Sequence, residues 1–221
     1  MKTINSIKNL EIKNYEIDYI VINDGSIDNT LQVLRDNKIN HLNLINNLGI
    51  GAAMQTGYKY ANYHNYDYAV QFDGDGQHNA KYISVLLKDL SDNNVDLSVG
   101  SRFVAQLSEF RSTKIRQFGI AFLSFLIKIT CKETIKDVTS GFRMCNNDVI
   151  SEFASSYPDD YPEPESLVVL LKKGYKINEV AVEMNEREHG VSSINKIKSI
   201  YYMIKVSIAI IFRSLSTKKG E

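Results

Sequence analysis

The chain has 221 residues, 43% of them hydrophobic and 24% charged, which suits one large domain with a substantial buried core. Lys plus Arg and Asp plus Glu both number 26, so there is no global basic field, and no nucleic-acid partner is expected. The cysteines Cys131 and Cys145 are too few for a disulfide framework or a zinc site and point to a reducing compartment.

Residues 1–13 read as a helix with Ile4, Ile7, Leu10 and Ile12 on its apolar face, without the apolar run of a signal peptide. Ile17 to Ile22 reads as a buried strand. It runs into the polar loop Asn23-Asp24-Gly25-Ser26-Ile27-Asp28-Asn29-Thr30, where Ser26, Asp28 or Thr30 caps a helix through Val33 and Leu34. His41 to Ile45 is a second strand, and the helix that follows Gly49 and Gly51 runs to about Tyr63. Tyr68 to Phe72 is a third strand, Lys81 to Leu90 a helix, and Val95 to Gly100 a strand ending in Ser101-Arg102. Strands alternating with helices predict an α/β fold with a mostly parallel sheet, helices on both faces and ligands at the carboxyl ends of the strands.

Further along, residues 115–130 make an apolar helix that suits either a core or a membrane-facing position. A loop from Asp137 to Arg143 and a helix after Asn147 come next. All 3 prolines fall between Tyr157 and Glu165, predicting a stiff extended loop that opens a helix at Glu165 and stops near Gly174. Val180 to Met184 is the final strand. From Ile194 to Lys218, Ile200, Met203, Ile204, Ile208 and Ile211 recur at helical spacing among basic residues. That pattern suits an amphipathic helix on a protein or on anionic lipid. The reading is therefore one domain over residues 1–195 with a C-terminal helix over 196–221. No apolar run reaches the roughly 18 residues of a membrane span, so the expected location is the cytoplasm, with association at a membrane surface or with a membrane protein.

The chemistry concentrates at Gln71-Phe72-Asp73-Gly74-Asp75-Gly76-Gln77-His78. In an extended segment residues i and i+2 share a side, so Asp73 and Asp75 can face one divalent ion, and Mg2+ or Mn2+ with a diphosphate suits that pair. A plain glycine-rich turn is the alternative. An EF-hand is excluded, since His78 and Ser84 stand where its Gly and Glu belong.

Four stretches, VINDGSIDNT, NNLGIGAAMQTGYKYA, VQFDGDGQH and REHGVSS, in this order and at these intervals, resemble the family 2 glycosyltransferases of GT-A fold, which is Rossmann-like. The likeness is greatest to the branch of polyprenyl-phosphate sugar transferases and polysaccharide-assembly enzymes. It implies inverting transfer from a nucleoside-diphosphate sugar to a polyprenyl-phosphate or glycan acceptor, with Mg2+ or Mn2+ bridging the donor phosphates. On this resemblance Asp24, Ser26, Gly49, Asp73 and Arg187 contact the nucleotide sugar, and Asp28 supports its loop. Asp75, Asp73 and Gln77 hold the metal, and Ser101, Arg102, Gly190 and Ser192 belong to the acceptor side or a lid. An acceptor hydroxyl needs a carboxylate to take its proton, and Glu163, Glu165 and Asp137 are the candidates, with the two glutamates preferred.

Members of the family normally begin with a strand carrying a Pro-x-Tyr-Asn-Glu type motif, whereas Met1 here falls inside the helix that follows it. The resemblance therefore implies exposed strand edges beside that position. A non-catalytic remnant serving as a binding or scaffold subunit is the second reading. A dinucleotide-binding oxidoreductase fails because Met54 occupies the third glycine position after Gly49 and Gly51.

Overall fold

A computed structural model describes residues 1–105, 114–185 and 196–217. The alternation read from the sequence is present, in shorter pieces. In chain order the elements are α1 (Lys2–Lys8), β1 (Val21–Asn23), α2 (Thr30–Asp36), β2 (His41–Asn43), α3 (Ile50–Tyr63) and β3 (Tyr68–Gln71). A 3-10 turn over Ala80–Tyr82 leads into α4 (Ile83–Asn93), then β4 (Leu97–Ser101), α5 (Lys114–Cys131), β5 (Arg143–Asn146) and α6 (Asn147–Ser155). The chain continues with α7 (Pro162–Lys173), β6 (Ile177–Ala181) and α8 (Lys196–Ser216).

Local chemistry sets these boundaries. The first helix stops at Lys8, with Asn9 as its C-cap donating back to Asn5 O, and farther on Asn14, with φ at 70°, turns the chain into an Ile12–Tyr15 bridge. At α2 the Asp28 carboxylate accepts the Thr30 amide at 3.0 Å, so Asp28 is the one of the three expected residues that supports the start. Helix α7 opens at Pro162, three residues before the expected Glu165. Proline suits a first turn whose amides lack partners, and Glu163 and Glu165 there complement the positive helix end. Its stop is the expected Gly174, left-handed at φ 90°.

Four strands pair in the order β3-β5-β4-β6, and β1 pairs separately with β2. The β1–β2 and β4–β6 ladders are parallel, and β5 runs antiparallel to both its neighbours, with Gln71 opposite Arg143 and Leu97 opposite Cys145. Strand β5 was not foreseen: a strand opening on a buried arginine lacks the apolar run that identifies an inner strand. The last strand lies three residues earlier than expected. Among the described residues no strand joins β1 to β3, and α3 spans the interval by packing on both.

Alternate residues of the four-stranded sheet feed two apolar clusters, one on each face. Leu97, Val99 and Cys145 point to a cluster closed by α5, α6, α7 and α8. Phe142, Met144 and Val182 point to a second, covered by α4 and by Ile7, Leu10 and Ile12. Helix α8 belongs to the first core, where Val206 and Ile210 are fully buried.

Candidate active site

Strand β3 delivers the chain to a tight loop. Gly76, at φ 82°, takes a conformation that disfavours other residues, and the Asp75 carboxylate accepts the Gln77 amide at 3.0 Å. Behind the loop His78 is buried, its ring stacked on Phe142 at 4.7 Å and edge-on to Phe72 at 5.3 Å. Its Nδ1 accepts the Asp73 backbone amide at 3.0 Å, and its Nε2 lies 3.7 Å from the Asp73 carboxylate. Burial pushes the imidazole down to about 4, against the opposing pull of Asp75, so the ring is neutral and serves as a pin for the loop. Asn185 fastens the other side, its amide donating to Gln77 O at 2.9 Å and its side chain to Gly76 O at 3.2 Å.

The donor set fits Mg2+ or Mn2+. Asp73 and Asp75 offer hard carboxylate oxygens, and among the described residues no cluster of three His, Cys, Asp or Glu adds a rival cage. Gly141 keeps room beside them, because a Cβ there would come within 3.5 Å of the Asp73 carboxylate and 3.0 Å of the Gln71 amide nitrogen.

A second loop faces the same strand ends. Asn23, buried at the end of β1, donates to Asn43 across the β1–β2 pair at 2.5 Å. Next to it, Asp24 accepts the backbone amides of Leu48 and Gly49 at 2.8 and 2.9 Å, one on each carboxylate oxygen. Asp24 thus welds the β1 loop to the start of α3. Gly25, at φ 63°, lies so near that a Cβ would meet the backbone of Asn46 and Asn47 within 2.6 Å. Gly51 brings α3 against the proline loop: its amide donates to Asp159 O at 3.2 Å, and a Cβ would sit 2.3 Å from the carbonyl oxygens of Pro158 and Asp159. Ser26 is exposed on this loop and Gly49 half-buried.

The three candidate bases have different surroundings. Asp137 is wholly buried and grips Arg102 through Nε at 2.7 Å and Nη2 at 2.6 Å, while its Oδ2 also accepts the Arg102 amide at 3.1 Å. The Glu179 carboxylate anchors the Lys136 and Asp137 amides at 2.7 and 2.8 Å. Ser101 is also wholly buried, its hydroxyl accepting the Phe103 amide at 3.3 Å. Asp137, Ser101 and Arg102 therefore form one structural knot at the end of β4. Glu165 turns toward α8 and accepts Arg213 Nε at 3.3 Å.

Glu163 lies in the field of Asp73. Burial pushes its carboxyl up, Arg143 pulls it down, Asp73 pushes it up further, and a hydrogen bond from Gln71 lowers it, with burial prevailing. Arg143 is buried and held by Ser140 O at 2.6 Å, Ser166 Oγ at 2.9 Å and Val138 O at 3.3 Å. Gln71 Oε1 and the Tyr157 hydroxyl are buried without a hydrogen-bond partner among the described residues. Carboxylate, guanidinium, carboxamide and phenol thus meet beside Asp73, an arrangement able to hold and move a proton next to that carboxylate.

The structure sets Glu163 within the field of Asp73, which shares its loop with Asp75 and Gln77, and places Asp24 on the loop after β1, bonded to the start of α3. Asp137 and Glu165 are drawn into ion pairs away from them. Arg187, Gly190 and Ser192 lie outside the described residues. Gln71, Arg143 and Tyr157 were missed by the sequence reading. The visible signal for Gln71 was a polar residue in an apolar strand, and for Arg143 a lone cation after Phe142.

The family model described as glycosyl transferase family 2 matches residues 1–153. The UDP-N-acetylglucosamine–dolichyl-phosphate N-acetylglucosaminyltransferase of Methanococcus voltae is 25% identical, over 98% of this chain and 91% of its own length. The polyprenol monophosphomannose synthase of Mycolicibacterium smegmatis is 25% identical, over 87% of this chain and 76% of its own. Among solved structures, glucosyl-3-phosphoglycerate synthase from Mycobacterium tuberculosis, in complex with Mn2+, UDP and glucosyl-3-phosphoglycerate, superposes with a TM-score of 0.63 at 16% identity. That match covers 96% of this chain and 73% of the other.

Proposed function

Since the chain belongs to glycosyl transferase family 2 and is a glycosyltransferase of GT-A fold, we propose that it transfers a sugar with inversion. In this reading the donor is a nucleoside-diphosphate sugar and the acceptor a polyprenyl-phosphate or glycan in cell-surface polysaccharide assembly. The observation that carries it is the buried Glu163 carboxyl, whose proton affinity is raised by burial and in the field of Asp73, the first carboxylate of the Asp73–Asp75 loop. The acceptor kind is supported by the activities for which the polyprenyl- and dolichyl-phosphate relatives are named. A divalent cation is supported by the Mn2+ and UDP bound in the structural neighbour.

Asp73 and Asp75 would hold Mg2+ or Mn2+, with Gln77 beside them. Bound there, the cation supplies charge neutralisation for the departing diphosphate. Asp24 orders the nucleotide side of the site through its bonds to the α3 loop, and Arg187 is assigned to the donor phosphates, where a guanidinium gives two parallel hydrogen bonds. Glu163 takes the proton of an acceptor hydroxyl, and its raised affinity places it nearer neutral pH, where a base works best. Arg143 and Gln71 hold that carboxyl in position. A phosphate acceptor arrives already ionised and leaves Glu163 with an orienting role. The reading locates the protein in the cytoplasm at the inner face of the cell membrane.

A binding subunit without catalysis is favoured by one observation, the break between β1 and β3 on the nucleotide side of the sheet. Calorimetry with Mn2+ and a panel of UDP-, GDP- and dTDP-sugars, followed by turnover on a polyprenyl phosphate, separates the two. Metal-dependent donor binding with product formation is expected. A folded chain that binds no nucleotide sugar would overturn the transferase reading.

A further inference from the structure

We propose that the Tyr157 hydroxyl donates to Gln71 Oε1 and so fixes which end of that carboxamide faces Glu163, which makes Tyr157 a positioning residue for the proposed base. Two buried polar atoms point to it. Gln71 is 3% exposed and Tyr157 7%, and among the described residues neither Gln71 Oε1 nor the Tyr157 hydroxyl has a hydrogen-bond partner. Buried polar groups in that condition are rare, because each forfeits the bonds it would make to water. Here one atom can only accept and the other can donate, so a single bond satisfies both.

Their surroundings are shared. Gln71 ends β3 opposite Arg143 of β5. Its amide nitrogen and the Asp73 carboxylate both border Gly141, 3.0 and 3.5 Å from where a Cβ would stand. The Tyr157 phenol lies in the fields of Arg143, Glu163, Cys145 and Asp73, and burial pushes it up, so it stays protonated and keeps its donor. Its ring is packed against Tyr58 at 5.3 Å and Phe153 at 4.9 Å, which leaves the O–H little freedom beyond rotation about its own bond. On the far side, Arg143 donates to Ser166 Oγ at 2.9 Å and that hydroxyl donates to Glu163 O at 3.1 Å, tying the first turn of α7 to the same arginine.

Elimination selects the acceptor. Arg143 has only donors. The Cys145 thiol is turned to Ala69 O at 3.7 Å. The Asp73 carboxylate has His78 Nε2 at 3.7 Å, and Glu163 already takes a hydrogen bond from Gln71. Gln71 Oε1 is the strong acceptor of this group that still lacks a donor.

The two ends of a carboxamide have nearly the same shape, so hydrogen bonds decide which way it points. With Tyr157 on Oε1, the nitrogen must face Glu163, where it donates to the carboxylate and favours the ionised base. Turned about, Oε1 would face Glu163 and favour the protonated acid. The other titratable groups in the field of Glu163 are Arg143 of β5, Asp73 after β3, Tyr58 of α3 and Tyr202 of α8, and a change confined to the Tyr157 hydroxyl alters none of them. Only the effect on turnover rests on the transferase reading; the bond itself does not.

The test compares Tyr157→Phe, which keeps the packed ring, with Gln71→Met and the double variant, all in the full chain. Melting temperature is followed from about pH 4.5 to about pH 8. Tyr157→Phe should bind the Glu163 proton about tenfold more tightly, so its melting temperature falls further than that of wild type as pH rises. Gln71→Met should do the same, and the double variant should match Gln71→Met alone, because the two residues act through one chain of bonds. In a Glu163→Gln background, Tyr157→Phe should leave the pH profile unchanged. On a hydroxyl acceptor the acid limb of kcat should move up by about one pH unit with KM unchanged. A Tyr157→Phe melting temperature raised equally at every pH would overturn the proposal, since it marks a phenol with no partner. So would a double variant whose shift is the sum of the two single shifts. A pH-dependent shift in a wild-type background that shows no turnover would leave the bond standing and remove the transferase reading.

Discussion

Gly51→Ala tests whether the close approach of α3 to the proline loop positions the site. In an open helix this change would stabilise by about 0.5–1 kcal/mol, because alanine costs less backbone entropy than glycine. Here the new Cβ would lie 2.3 Å from two carbonyl oxygens and 2.5 Å from Asp159 Cα, about 1 Å inside ordinary contact. All three obstacles are backbone, and Pro158 and Pro162 stiffen the loop that carries them, so it cannot yield by a rotamer change. Overpacking of this kind costs about 1–3 kcal/mol, and the Gly51–Asp159 hydrogen bond at 3.2 Å adds about 1 kcal/mol when the loop is pushed away. The net expectation is a loss of about 1–3 kcal/mol. In a domain of this size that lowers the melting temperature by roughly 2–12 °C in a thermal scan. Turnover should fall as well, because the displaced loop leads directly into Glu163. A melting temperature equal to or above wild type would refute the reasoning.

Glu163→Gln separates a base from a structural carboxylate by its pH signature. Burial raises the Glu163 affinity above its ordinary value of 4.5, so the folded state holds that proton more tightly than the unfolded state, and wild-type stability falls as pH climbs from 4.5 through the raised value. The variant should lack this fall and be the more stable at pH 7 in urea melts, while turnover on a hydroxyl acceptor drops about 10²- to 10⁴-fold. Asp75→Ala should abolish Mn2+-dependent turnover and calorimetric Mn2+ binding, with stability within about 1 kcal/mol of wild type for the lost bond to the Gln77 amide. Asp137→Asn should cost about 3–5 kcal/mol by stranding the Arg102 guanidinium in a buried setting. Unchanged stability with lost activity would instead make Asp137 the base.

The elements most readable from sequence were those whose signals are local. The alternation of strands and helices, the stop of α7 at Gly174 and the glycine-turned Asp73–Asp75 loop after β3 all follow from neighbours in the chain. What escaped depends on distant partners. Strand β5 escaped because a buried Arg143 breaks the apolar run, and that arginine is tolerated only because Ser140, Ser166 and Val138 converge on it. Choosing among Glu163, Glu165 and Asp137 was equally beyond spacing alone. Arg102, Arg213 and Arg143 each approach a different carboxylate, and those pairings leave Glu163 as the one in the field of Asp73. Asp24 was readable as a strand-end carboxylate, but its bonds to Leu48 and Gly49 became visible only when the two loops met.

The separation of β1 and β2 from the larger sheet divides the molecule into cooperative units of unequal strength. Each of these strands is three residues long, and among the described residues α3 packs on β1 while a Tyr66–Asp18 hydrogen bond at 2.6 Å joins the segment before β1 to the segment before β3. The β4 strand, by contrast, is buried throughout and bonded on both edges. The smaller unit is therefore expected to open first in native-state hydrogen exchange, at a free energy below that of global unfolding. A ligand touching both Asp24 and the Asp73 loop would couple the two units, so that part of its binding energy goes into suppressing that opening.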